Sequence, residues 1–172
     1  FEALNINYVY LKFPAKDLTD FLSNANGIGI EGFSVTIPHK VAILDRLPKL
    51  TLEAKRAGAV NTVFQKDGQW IGDNTDVHGI RQALAEIDIK GLDVVILGAG
   101  GAARAAVAAL EQARSITLLS RRPKVSKITW PRNIQIDRID RFAEYPCDLL
   151  VNATPVGMSP NEDQCPITGP IS

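Results

Sequence analysis

The sequence predicts an α/β fold built as two successive domains, and three observations carry that prediction. Strand-like and helix-like stretches alternate through residues 1–90. An apolar run, LDVVIL, enters the Gly-rich turn GAGGAA and continues as an alanine-rich helical stretch, the strand–turn–helix order of a parallel sheet. A second apolar run, CDLLVN, ends in a polar, Gly-containing loop, ATPVGM. The expected division is residues 1–90, including a connecting helix, and residues 91–172.

Taken in order, YVYLKF (8–13) alternates as a strand does, and after Pro14 the stretch AKDLTDFLSNA places Leu18, Phe21 and Leu22 on one helical face. GFSVTI (32–37) reads as the next strand. Pro38 suits the first turn of a helix through VAILDRL, because that position can spare the amide proton that proline lacks. LTLEAKRAGA reads as a helix, and NTVFQ with QWIGD reads as a hairpin turning at KDG. From Asp76, VHGIRQALAEI repeats apolar residues at helical spacing, offering Ile80, Leu84 and Ile87 to a buried face. The LDVVIL strand follows, then the Gly-rich turn and its helix, the strand SITLLSR, and CDLLVN.

Composition narrows the function. The chain has 172 residues, 45% hydrophobic and 22% charged, enough to bury a sizeable core. Nineteen basic residues balance nineteen acidic ones, so no global field draws in nucleic acid or an anionic membrane, and a small-molecule ligand fits better. Only Cys147 and Cys165 are present, without the paired spacing of a zinc site, so no metal is expected. No stretch has the pattern of a secretory signal or the length of a membrane helix, and a cytoplasmic location is expected.

The Gly-rich turn carries the most chemistry. Gly98 permits a tight turn, Gly100 lets phosphate oxygens approach the backbone, and Ala103 is small where the helix must pass close to the sheet. Amides at the helix start can then bind a pyrophosphate. At the end of the next strand, an NAD site often has an acid for the ribose hydroxyls, whereas here stand Ser120, Arg121 and Arg122. Arginine can form paired hydrogen bonds to a 2′-phosphate, so the cofactor expected is NADP. After CDLLVN, Asn152, Thr154 and Gly157 are placed to border the nicotinamide, with Met158 as an apolar wall or a core filler.

Several segments together, GFSVTIPHK, GAVNT, DNTDVHG, GAGGAARA, SRR and NATPVGM, resemble the shikimate dehydrogenase family in their order along most of the chain. The resemblance implies an α/β substrate domain followed by a Rossmann-like NADP-binding domain, and reversible reduction of 3-dehydroshikimate to shikimate by NADPH. It implies that Lys40 is the catalytic lysine, that Asp76 is its partner, and that Thr36 and Asn61 bind substrate hydroxyls. It makes Gly98, Ala99, Gly100, Gly101 and Ala102 the dinucleotide turn, and Arg121 the reader of the adenosine phosphate.

The plainer readings stand beside these. Lys40 can also be read as a solvated helix-start charge, His39 and His78 as local structure, and Asn74-Thr75-Asp76 as a helix cap. Ser34 and Pro155 depart from the family pattern, which often has Asn and Ser there. Neither a Ser-containing loop before Phe1 nor a Gln-containing helix after Ser172 is in the sequence, so an internal fragment with both domains incomplete is expected, and turnover by this chain alone is left open. A quinate/shikimate dehydrogenase and a non-catalytic, nucleotide-responsive binding protein are the alternatives. A homodimer has no direct support in the sequence.

Overall fold

The computed structural model describes residues 1–123, 130, 134–160 and 162–167. The chain forms two compact units, Phe1–Glu31 and Gly32–Ser172.

In the first unit, helix α1 (Leu18–Ala25) starts where Asp17 accepts hydrogen bonds from the amides of Thr19 and Asp20, satisfying two donors that a helix start leaves open. Phe21 packs beside Phe13, with ring centroids 6.1 Å apart. The strand expected at residues 8–13 is not formed. A strand exists only as the hydrogen-bonded neighbour of another, and among the described residues no strand pairs with YVYLKF. Tyr8 instead donates its hydroxyl to Glu31.

The second unit holds two four-stranded sheets. Strands β1 (Gly32–Ser34), β2 (Lys49–Leu50), β3 (Thr62–Lys66) and β4 (Gln69–Asp73) form the first, in the order β1-β3-β4-β2. The β3–β4 pair is the expected hairpin, with Asp67 and Gly68 both at positive φ in its two-residue turn. β1 is shorter than GFSVTI: the Val35 amide donates to Asn61 O at 2.7 Å, and the chain then turns as the His39 amide donates to Thr36 O at 2.8 Å. Pro38 therefore precedes the helix rather than lying in its first turn. Helix α2 (His39–Ala42) ends after one turn, and Leu44–Arg46 continues as 3₁₀.

Strands β5 (Asp93–Leu97), β6 (Ser115–Ser120), β7 (Gln135–Arg138) and β8 (Leu149–Asn152) form a fully parallel sheet in the order β7-β6-β5-β8. The strand order reverses between β5 and β8, which is where an open α/β sheet opens a crevice beyond its carboxyl ends. Val94, Val95, Ile96 and Leu97 are all buried, each contributing about 1.5–3 kcal/mol relative to exposure. Below them Arg114 pairs with Asp93, Ser115 Oγ donates to Asp93 at 2.7 Å, and the Asp93 amide donates to Asp148 at 2.8 Å. The Arg114 pairing first, and the Ser115 hydroxyl after it, hold the Asp93 carboxyl down at about 2.

Helix α5 (Gly101–Ala109) joins the two sheets into one core, packing against α3 (Leu52–Ala57) and α4 (Thr75–Ala83). Its alanines allow that close approach, and ionic contacts close the rim. Arg81 of α4 donates to Glu53 at 2.7 Å and to Ala108 O at 3.1 Å. The guanidinium of Arg104, buried at 1% exposure, lies 4.4 Å from the ring centre of Trp130. Of the face expected on α4, Ile80 and Leu84 pack on this core, but Ile87 is exposed because the helix has ended at Ala83. Among the described residues no helix is long and apolar enough to cross a membrane.

Candidate active site

The polar cluster is assembled from three stretches distant in sequence. Lys40 is the second residue of α2, Asn61 directly precedes β3, and Asp76 lies in the first turn of α4. Backbone bonds bring them together: the Val60 amide donates to Lys40 O at 2.7 Å, and the Asn61 amide to Asp73 O at 3.0 Å. Lys40 Nζ then donates to Asp76 Oδ2 at 2.6 Å. The pair is half-buried, with 19% of the lysine side chain and 36% of the aspartate side chain exposed. Water and a ligand can both reach it.

Asn61 holds the carboxylate from the other side. Its Nδ2 donates to Asp76 Oδ1 at 2.7 Å and to Thr75 Oγ1 at 3.0 Å, while its Oδ1 accepts from the Thr75 amide at 2.9 Å. Asn61 thus supplies the cap at the start of α4. The capping expected of Asn74 is not formed by its own side chain; Asn74 Nδ2 donates to Ala59 O at 2.9 Å. Thr36 is exposed on the turn before α2, and its carbonyl accepts from the His39 amide. His39 is half-buried, and His78 is exposed on α4.

The second part of the site lies at the carboxyl ends of the parallel strands. Gly98 follows β5 with φ +112, and its amide donates to Leu119 O at 2.8 Å. A Cβ there would fall 2.8 Å from Ala153 O, on the neighbouring β8 loop. Gly100 precedes α5 with no side-chain cap, and a Cβ added to it would meet nothing within 4 Å. No side chain caps the start of α5 and the space beside Gly100 is open, an arrangement that fits an anionic phosphate. Ala99 is half-buried and Ala102 exposed on the same turn. At the end of β6, Ser120 is 8% exposed, and its buried Oγ has no hydrogen-bond partner among the described residues. Arg121 and Arg122 are exposed beside it. A buried hydroxyl awaiting a partner next to two guanidinium groups fits a phosphorylated ribose.

The loop after β8 is shaped by its own side chains. Asn152 Oδ1 accepts from the Thr154 amide at 3.0 Å and from its hydroxyl at 2.7 Å, and Asn152 Nδ2 donates to Val156 O at 3.0 Å. Met158 is 64% exposed and is no core filler.

The two parts touch. The three heavy atoms nearest to a Cβ built on Gly101 all belong to the Lys40 side chain. Sequence reasoning named Lys40, Asp76 and Asn61 but missed Thr75 as the link between Asn61 and α4. The signal for it was Thr75's place directly before Asp76 at a helix start.

Comparison with known proteins adds the relatives. Residues 1–63 match the family described as the shikimate dehydrogenase substrate binding domain. The chain is 39% identical over 182 residues to the shikimate dehydrogenase (NADP(+)) of Microcystis aeruginosa, covering 96% of this chain and 64% of that protein. Among solved structures it resembles shikimate dehydrogenase 1 from Peptoclostridium difficile, with a TM-score of 0.85 and 32% identity, covering 98% of this chain and 64% of that one. It also resembles shikimate 5-dehydrogenase from Thermus thermophilus in complex with NADP(H) and shikimate, with a TM-score of 0.77 and 33% identity, covering 97% and 64%. The chain thus spans less than two thirds of the length of these relatives.

Proposed function

Because the chain matches the shikimate dehydrogenase (NADP(+)) family strongly across most of its length, we propose that it comes from an NADP-dependent enzyme interconverting 3-dehydroshikimate and shikimate. The observation that carries the reading is the half-buried Lys40–Asp76 pair, held by Asn61 and lying against the Gly-rich turn. Substrate-side chemistry belongs to residues 1–90 and cofactor binding to residues 91–172. The backbone of Gly98, Ala99, Gly100, Gly101 and Ala102 would hold the pyrophosphate, with Ser120, Arg121 and Arg122 at the adenosine 2′-phosphate and the Asn152–Thr154 loop at the nicotinamide end. When bound, NADPH supplies the hydride.

The protein's own part is the proton. As the substrate carbonyl is reduced, negative charge develops on its oxygen; the Lys40 ammonium stabilises that charge and delivers a proton, and in the reverse direction accepts one. Asp76 keeps the ammonium aimed and accepts from a substrate hydroxyl. Thr36 and Asn61 contact the remaining hydroxyls. We assign the protein to the cytoplasm, where free thiols such as those of Cys147 and Cys165 persist.

The test is a panel of shikimate and quinate with NADP⁺ and NAD⁺, using the whole encoded protein. Shikimate with NADP⁺ is expected to exceed each alternative by about tenfold or more in kcat/KM. Equal use of quinate would make it a quinate/shikimate dehydrogenase. Saturable NADP(H) binding without turnover of either substrate would replace the enzyme reading with that of a nucleotide-responsive binding protein.

A further inference from the structure

Three glycines stand in the GAGG turn, and the structure separates their reasons. Gly98 has a backbone conformation that L residues rarely adopt, and Gly100 faces open space. Gly101 has neither feature. It is the first residue of α5 and lies outside the left-handed region, so its backbone would accept any side chain. Yet a Cβ there would fall 2.8 Å from Cδ, 3.0 Å from Cβ and 3.4 Å from Cγ of Lys40.

We propose that Gly101 is a positioning residue for Lys40: its bare backbone is the seat on which the lysine stem lies, and this seat aims the ammonium at Asp76. The proposal rests on the reading of Lys40 as the proton-transfer group. Two ways exist to relieve an added methyl group, and both disturb the pair. Rotating the lysine chain to free Cδ carries Nζ away from Asp76 Oδ2, now 2.6 Å distant. Moving the lysine Cβ means moving α2, whose Lys40 carbonyl is bonded to the Val60 amide at 2.7 Å, next to Asn61. Neither route involves the open side of Gly100. The nucleotide turn and the proton-transfer group therefore share one van der Waals contact, and Gly101 belongs to the lysine's side of it.

The experiment is a double-mutant cycle of Gly101→Ala and Lys40→Ala, read in nucleotide-free protein by thermal melting and then by kinetics and nucleotide titration. In the wild-type background Gly101→Ala is expected to lower Tm by about 3 °C or more. In the Lys40→Ala background, where the stem is gone, it should leave Tm unchanged or raise it. With Lys40 present, Gly101→Ala should cut kcat about 10- to 100-fold and shift the pH profile of turnover, a larger effect on kcat than on NADP(H) affinity. If Gly101→Ala alone does not fold, folding restored by Lys40→Ala is the same coupling and supports the seat. Equal Tm changes in the two backgrounds would overturn it. A loss of NADP(H) affinity of about tenfold or more with kcat intact would also overturn it, leaving Gly101 to the nucleotide alone. Absence of turnover by the wild-type protein, with coupled melting retained, would reject the reaction assigned above and leave the seat standing.

Discussion

The two sheets of the larger unit are built on opposite principles. In the β1-β3-β4-β2 sheet, burial alternates along short strands, and the polar side chains at its rim are held by hydrogen bonds with Asn61. In the β7-β6-β5-β8 sheet, all five residues of β5 and five of the six in β6 are buried, and the turn that leaves β5 is shaped by glycine backbone. The first region works through individual polar atoms and the second through the shape of a turn on an apolar platform. Deleting the Lys40 side chain should therefore strike chemistry in the first region with little loss of fold, whereas the second should respond mainly to changes in backbone freedom.

The largest test of that contrast is Lys40→Met. Turnover is expected to fall by about 10² to 10⁴, the usual range for a positioned proton-transfer group, with NADP(H) affinity and melting temperature nearly unchanged. A comparable loss of affinity would erase the distinction. Gly98→Ala probes the other region, because it combines a φ of +112 with a 2.8 Å approach to Ala153 O. It should cost about 1–3 kcal/mol or more in denaturant unfolding and weaken nucleotide binding with it. Asn61→Ala should lower kcat/KM for shikimate through loss of the hold on Asp76, and cost about 1–3 kcal/mol of stability by leaving the Thr75 amide without its cap. Arg121→Ala should weaken NADP(H) by about tenfold while leaving NAD(H) alone, as competition titrations would reveal.

The smallest effect concerns acid. The Asp93 carboxyl sits at about 2 in the folded chain against an ordinary 3.8. A depressed folded value adds stability that is complete above the unfolded value and is lost as pH falls through the folded one. The Tm of the wild type should therefore drop between about pH 4 and pH 2 more steeply than that of Asp93→Asn. Matching slopes would show that the base of the parallel sheet is held by apolar burial alone.

The parallel sheet was the more legible half of the sequence. LDVVIL and SITLLSR are continuous apolar runs bounded by turns, and they formed β5 and β6 as read. The short edge strands β2 and β7 escaped notice because two to four residues carry too little periodicity to register. YVYLKF misled for the converse reason: alternation reports which faces a strand would have, not whether a neighbour is there to bond it. At the site, residue types pointed to Lys40 and Asp76, but 36 residues separate them and only the folded backbone makes the pair. The capping of α4 by Asn61, a residue 14 positions before Thr75, had no local signature at all.

That cap has a further use. The Thr75 amide donates to Asn61 Oδ1, and the same Asn61 amide group holds Asp76 through Nδ2. One exchangeable proton therefore senses the state of the Lys40–Asp76 pair. Its exchange with deuterium in solvent should be slow while Asn61 is in place and should speed up whenever the Asn61–Asp76 hold loosens. Watched by NMR, Thr75 would be a built-in gauge of how often the resting site comes apart, readable in the absence of substrate and cofactor.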